Sequence, residues 1–369
     1  MGADPINLEE RDQRWQRIRH ALEQNGLDGI LVVSDGHIER RGSVRYVSNW
    51  AGGASATLMW HYVIFPHKGN PVAINIKAGW IDDRRMLSFR GAWVPESEPY
   101  AEFIVGVIRD LNIDNGNVAI EGDFLPVPVF QRLVKELPQA KFKQVNIIHE
   151  LKRVKSPVEI KAIEQDVEAV DSVFEACLVF ARPGMTWNDI TSELCRNLYQ
   201  MGAEDIGGYP MPRSNNVIKT GDSYNCYPEP QMRWGYWMQF GRVISFGEPS
   251  KELSEAWELN IRAQEAGADK LKPGNTGADI MKAINDSLKG CKYTGAPRSS
   301  GHGIGLDILE KPYISLDEET EFAPGMLVGI HPVFTPPNPA FEANADLFVV
   351  TKDKPRKLSR ITPEIKIIR

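Results

Sequence analysis

Cysteine is scarce in this chain, and the four present, Cys177, Cys195, Cys226 and Cys291, include no Cys-x-x-Cys pair. Such scatter argues against a zinc knuckle or a disulfide framework and points to a reducing compartment. Long apolar runs are missing too. Nothing approaches the roughly 18 consecutive apolar residues of a membrane span. Met1 is followed by Gly-Ala-Asp-Pro and a charged helix, without a basic stretch leading into an apolar core. No secretory leader is therefore expected, and the cytoplasm is the expected location. Positive charge is not in excess: 43 Lys and Arg against 49 Asp and Glu leave a net charge of -6. That balance argues against nucleic acid or an anionic membrane as the main partner and leaves small molecules.

What is present is long enough for two domains, since 369 residues exceed the size at which single cores stop growing. Asn7 with Glu10 reads as a helix cap, and Trp15, Ile18 and Leu22 recur on one face until Asn25-Gly26. Apolar runs at 30–33, 62–65, 72–76 and 118–120 read as strands, and segments at 103–111 and 129–137 as helices. This alternation predicts a first domain of alternating helices and strands over 1–148. The remainder, 149–369, opens with Ser156-Pro157, a cap followed by proline at the first helical position, and a helix to about Phe180.

Two further motifs stand out. Pro183-Gly184-Met185-Thr186-Trp187-Asn188-Asp189-Ile190 recurs as Pro273-Gly274-Asn275-Thr276-Gly277-Ala278-Asp279-Ile280, each between two helices. Two copies in one register indicate a duplicated half-domain and not a solenoid. The second motif is Ser300-Gly301-His302-Gly303-Ile304-Gly305, continued by Leu309-Glu310-Lys311-Pro312.

Together these resemble the pita-bread family of methionine aminopeptidase, aminopeptidase P, prolidase and creatinase, and the spacing is most like creatinase. The resemblance implies an α+β protein, with a small three-layer domain followed by a pita-bread catalytic domain of two-fold internal duplication. It also implies a homodimer. In the metal-dependent members five residues hold two cations, and the matching positions here are Tyr227, Gln239, His302, His331 and Ala345. Only His302 keeps the family's ligand type. Two hard cations need several anionic oxygens, which Tyr227, Gln239 and Ala345 do not supply. The expectation is no cofactor and no metal, with no turnover of aminopeptidase or prolidase substrates. A single metal on His302 and His331 would need a third ligand from Glu229, Glu310 or Glu342. Creatinase's own catalytic histidine corresponds to Pro210, beside Tyr209, and the glutamate before its arginine to Gly241.

The resulting expectation is a metal-independent hydrolase of a non-peptide carbon–nitrogen bond in a small molecule. A lyase acting next to a carbonyl and a non-catalytic ligand- or peptide-binding module are the alternatives. His302 and His331 are the expected acid and base, because imidazole titrates near neutral pH, and Tyr227 the donor to a developing oxyanion. Gln239, Arg242, Tyr209, Glu229 and His61 are the expected substrate-binding residues. For Arg242 a structural ion pair is the competing reading. Tyr209, Tyr224, Tyr227, Trp234, Tyr236 and Trp237 crowd one stretch, which suggests either core or an aromatic pocket for a flat or cationic ligand.

Overall fold

The structure is a computed structural model, and it describes residues 6–49, 60–74, 88–90, 100–207, 214–291, 299–332 and 344–369. The chain divides into two compact units, Met1–Lys152 and Arg153–Arg369. The boundary falls inside a helix, Ile147–Arg153.

In the first unit the elements run α1 (Leu8–Gln24), β1 (Gly29–Ser34), α2 (Gly42–Ser48), β2 (His61–Pro66), β3 (Val72–Ile74) and β4 (Ser88–Arg90). They continue with α3 (Tyr100–Asp110), β5 (Asn117–Glu121), α4 (Val127–Glu136), β6 (Lys141–Val145) and α5 (Ile147–Arg153). Asn7 caps α1 by accepting from the backbone N–H of Glu9 and Glu10. The Glu10 carboxylate is turned to Arg14 and Arg17 along the helix. The strands form one mixed sheet in the order β4-β3-β2-β1-β5-β6. Leu31, Val33, Tyr62, Ile64 and Val118 of that sheet pack against Ile104, Val107, Ile108 and Leu133 of α3 and α4.

The second unit runs α6 (Pro157–Phe180), α7 (Trp187–Gln200), β7 (Asp205–Gly207), β8 (Ser223–Cys226), β9 (Glu229–Gln231), β10 (Arg242–Phe246), α8 (Lys251–Ala268) and α9 (Gly277–Ser287). It ends with β11 (Gly301–Gly303), β12 (Glu310–Tyr313), β13 (Leu327–Ile330), β14 (Asp346–Val349), β15 (Arg356–Lys357) and β16 (Lys366–Ile368). The duplicated motif folds the same way twice. Thr186 caps α7 and Thr276 caps α9, each in a reciprocal capping box with the aspartate three residues on, Asp189 or Asp279. The glycine ahead of each cap sits at positive φ, Gly184 at 92° and Gly274 at 83°. Their N–H groups reach the carbonyls of Ile218 and Phe322 on the segments ahead of β8 and β13. Two sheets, β16-β10-β8 and β12-β11-β13-β14-β15, meet at a bridge between Gly241 and Ala345.

Candidate functional site

The site is built where those two sheets meet. β11 and β13 are antiparallel, with His302 opposite Gly329 and Gly301 opposite Ile330. The ladder continues one step, as the His331 N–H donates to Ser300 O at 2.9 Å. Residues two apart on a strand share a face, so His331 is the diagonal neighbour of His302. Their rings meet edge to face, centroids 5.2 Å apart.

Gly329, directly opposite His302, has no side chain, and the Gln239 carboxamide fills that gap. A Cβ at Gly329 would fall 1.9 Å from Gln239 Oε1. The Gln239 Nε2 group donates to Glu229 Oε1 at 2.9 Å and faces His302 Nε2 at 3.4 Å. His302 Nδ1–H donates to Gly303 O at 2.8 Å. With its one proton used there, His302 turns the lone pair of Nε2 toward the Gln239 amide. Gln239, Glu229 and His302 are all buried. Burial lowers the pKa of His302, partly offset by the Gly303 carbonyl and by Glu310.

His331 differs in one respect. Its Nε2 is sealed from solvent and has no hydrogen-bond partner among the described residues. Burial first, and the neighbouring His302 second, push its pKa down to about 3. Both rings are therefore neutral at physiological pH. Tyr227 stands edge-on to His331 at 6.4 Å and packs with Ala345 in a small apolar contact.

Tyr227, Gln239, His302, His331 and Ala345 are thus brought together, joined by Glu229. Tyr209 and Glu342 lie outside the described residues. His61 lies buried on β2, paired with Ser34, in the first unit and not in the unit carrying the other residues. The expectation that Arg242 binds substrate is corrected. Its guanidinium is fully buried and donates to the carbonyls of Gly241, Ala345, Ile361 and Thr362, to Asn344 Oδ1 and to Asp346 Oδ1. All three nitrogens are consumed in holding strands together. The aromatic pocket is likewise not formed by Tyr224, Tyr236 and Trp237, which are fully buried core. Tyr224 stacks on Trp187 and Tyr236 donates to Glu159 Oε1 at 2.6 Å. Glu310, a possible third ligand in sequence, is engaged by Lys155 Nζ at 2.7 Å.

The chain was compared with known proteins. Residues 161–352, more than half of it, match the model of Metallopeptidase family M24, and residues 14–154 match the Creatinase/Prolidase N-terminal domain. This chain belongs to Metallopeptidase family M24. Among its relatives, an Xaa-Pro dipeptidase of Lactobacillus helveticus is 27% identical over 74% of this chain and 78% of its own length. The uncharacterized peptidase YqhT of Bacillus subtilis is 24% identical over 96% of this chain and the whole of its own. The solved structure of an X-Pro aminopeptidase from Thermotoga maritima superposes with a TM-score of 0.83 at 20% identity, covering 96% of this chain and 99% of the other, which shows the shared fold.

These findings confirm the pita-bread resemblance and the α+β architecture of two domains. They overturn the expectation of a metal-independent hydrolase of non-peptide bonds, and with it the exclusion of peptidase substrates, because the family is one of metallopeptidases and its named relatives are dipeptidases. The inference failed because lost carboxylates report on how a centre is charged and not on which bond is cleaved.

A family of metallopeptidases implies metal, so the donor set must be tested against it. The candidate positions offer two imidazoles, one amide and one phenol, and the carboxylate joined to them, Glu229, already accepts from Gln239. Tyr227 and Ala345 meet in apolar contact where anionic oxygens would be required. Among the described residues no three His, Cys, Asp or Glu side chains are arranged to hold a metal ion. As arranged, these residues do not fit a two-cation centre. Among the described residues, no helix is long and apolar enough to cross a membrane.

Proposed function

We propose that this chain acts on the amide bond of short peptides, of the Xaa-Pro kind its named relatives cleave, at the His302–His331 pair. The observation that carries the reading is the sealed Nε2 of His331, without a partner among the described residues, beside His302 in the peptidase-family domain. A buried polar atom without a partner costs free energy, so its retention needs a reason, and a substrate group that completes it is one. His331, held neutral by burial, is placed to take a proton from water attacking the carbonyl carbon and to pass it to the departing proline nitrogen as the C–N bond breaks. His302 is fixed in one tautomer by the Gly303 carbonyl, with Gln239 holding the face of the ring. Tyr227 stands edge-on to His331 as a candidate donor to carbonyl oxygen.

The test is direct: purified protein is incubated with Xaa-Pro and Xaa-Ala dipeptides, as isolated, with chelator, and with Mn²⁺, Co²⁺ or Zn²⁺ added. Release of the free amino acids, followed by mass spectrometry, is the expected result. No release from any dipeptide under any of these conditions would remove the reading. The cytoplasm suits four cysteines that are all free thiols, and the homodimer is carried forward as part of this proposal, measurable by light scattering.

A further inference from the structure

Lys155 lies between the two matched family segments, at the residue before the cap of α6. We infer that Lys155 is a positioning residue that braces the two histidine strands against each other. Its backbone N–H donates to Gly325 O at 2.9 Å, in the turn that launches β13 toward His331. Its side chain reaches the other way. Lys155 Nζ donates to Glu310 Oε2 at 2.7 Å, with both side chains almost wholly buried, at 2% and 1% exposure. Glu310 pairs with Gly303 across β11 and β12, at a register shift that falls between His302 and Gly303. The second oxygen of Glu310 takes the Asp307 N–H at 3.3 Å, at the far end of the glycine loop that follows His302.

That loop rests on the ion pair. A Cβ at Gly305 would come within 2.8 Å of Lys155 Nζ and of both Glu310 oxygens. On its far side Gly305 O accepts from the Trp237 N–H at 2.8 Å, two residues before Gln239. One residue thus touches the strand bearing His331 through its backbone, and through Glu310 the strand bearing His302. Buried ion pairs are weak contributors to stability compared with apolar side chains of similar volume. A pair retained at this junction therefore fits a role in holding geometry better than one in holding the fold. The inference rests on the proposed use of the two histidines, but its test does not require turnover.

The experiment compares protein labelled with [¹⁵N]histidine as wild type, Lys155→Arg and the double variant Lys155→Met/Glu310→Met, with ring resonances assigned through His302→Gln and His331→Gln. The double variant removes both charges together, so no buried charge is left unpaired and the fold is kept. In it the ring signals of His302 should shift or broaden, while those of His331, still tied through the Lys155 backbone, should hold. Lys155→Arg should stay close to wild type. Where a dipeptide is turned over, kcat of the double variant should fall roughly ten- to hundred-fold from misplacement, with KM little changed. Unmoved His302 signals in the double variant would overturn the inference. So would a shift of every histidine, His149 of the other unit included, together with a lowered melting temperature, since that marks a merely structural pair.

Discussion

The carboxamide of Gln239 lies over Gly329 and joins Glu229 to His302, donating to the first at 2.9 Å and facing the second at 3.4 Å. One neutral side chain thereby donates to a buried carboxyl group and faces an imidazole. Replacing Gln239 by Glu would put a second carboxylate beside Glu229. Two like charges at that distance raise the folded-state pKa of one of them, so the folded protein binds more protons than the unfolded. The variant should lose melting temperature at neutral pH and regain it as pH falls toward 4 to 5. It should also gain more from added Mn²⁺ than the wild type does, because the cation meets two anionic oxygens. Equal melting curves with and without Mn²⁺ in both proteins would count against this picture of the centre.

Gly329→Ala tests the same contact from the strand side. The added methyl would overlap Gln239 Oε1 at 1.9 Å, and the β13 backbone, paired on both sides, has little room to yield. The expected cost is about 1–3 kcal/mol, with the amide pushed off His302. A denaturant titration checks it, and a cost below about 0.5 kcal/mol would show that the carboxamide rearranges freely.

His331 makes a pH-dependent contribution with a defined sign. Its folded pKa is depressed to about 3 from an ordinary 6.5, so between those values the unfolded chain binds the extra proton. Stability from this group is complete above about pH 6.5 and is lost as pH falls toward 3, by on the order of a few kcal/mol. In His331→Gln the slope of unfolding free energy against pH should flatten in that window. An unchanged slope would mean that the ring protonates in the folded protein.

Arg242→Met should behave as a stability mutant. It leaves Asp346 buried beside several carbonyls that have lost their donor, at an expected cost of about 3–5 kcal/mol. Any activity that survives at low temperature should show an unchanged KM, since the guanidinium is committed to the fold.

Much of the architecture is legible in the chain because its signals are local. The Thr186–Asp189 and Thr276–Asp279 capping boxes lie within one helical turn, so the duplication can be read without coordinates. Ser156-Pro157 marks the start of α6 for the same reason. Arg242 is the opposite case. Its partners Asp346 and Ile361 are over a hundred residues away, and nothing in its neighbourhood separates a strand clamp from a substrate anchor. The crowded aromatics misled likewise, because Tyr224 is stacked on Trp187 of α7 and Tyr236 donates to Glu159 of α6, partners distant in the chain. Lys155 carries no local signal of its role, since its link to Glu310 spans 155 residues. The substrate class was misread for another reason: the loss of carboxylates bears on what the centre can hold and not on which bond is cleaved.

The most direct test of the central claim is the rate of amino-acid release from the best Xaa-Pro dipeptide by wild type, His302→Ala and His331→Ala, each shown to be folded by circular dichroism. If the histidine pair carries the proton from attacking water to the departing nitrogen of the scissile amide, either substitution should lower kcat roughly a hundred-fold or more. Full-rate release by both variants would contradict the account and move the chemistry to another part of the molecule.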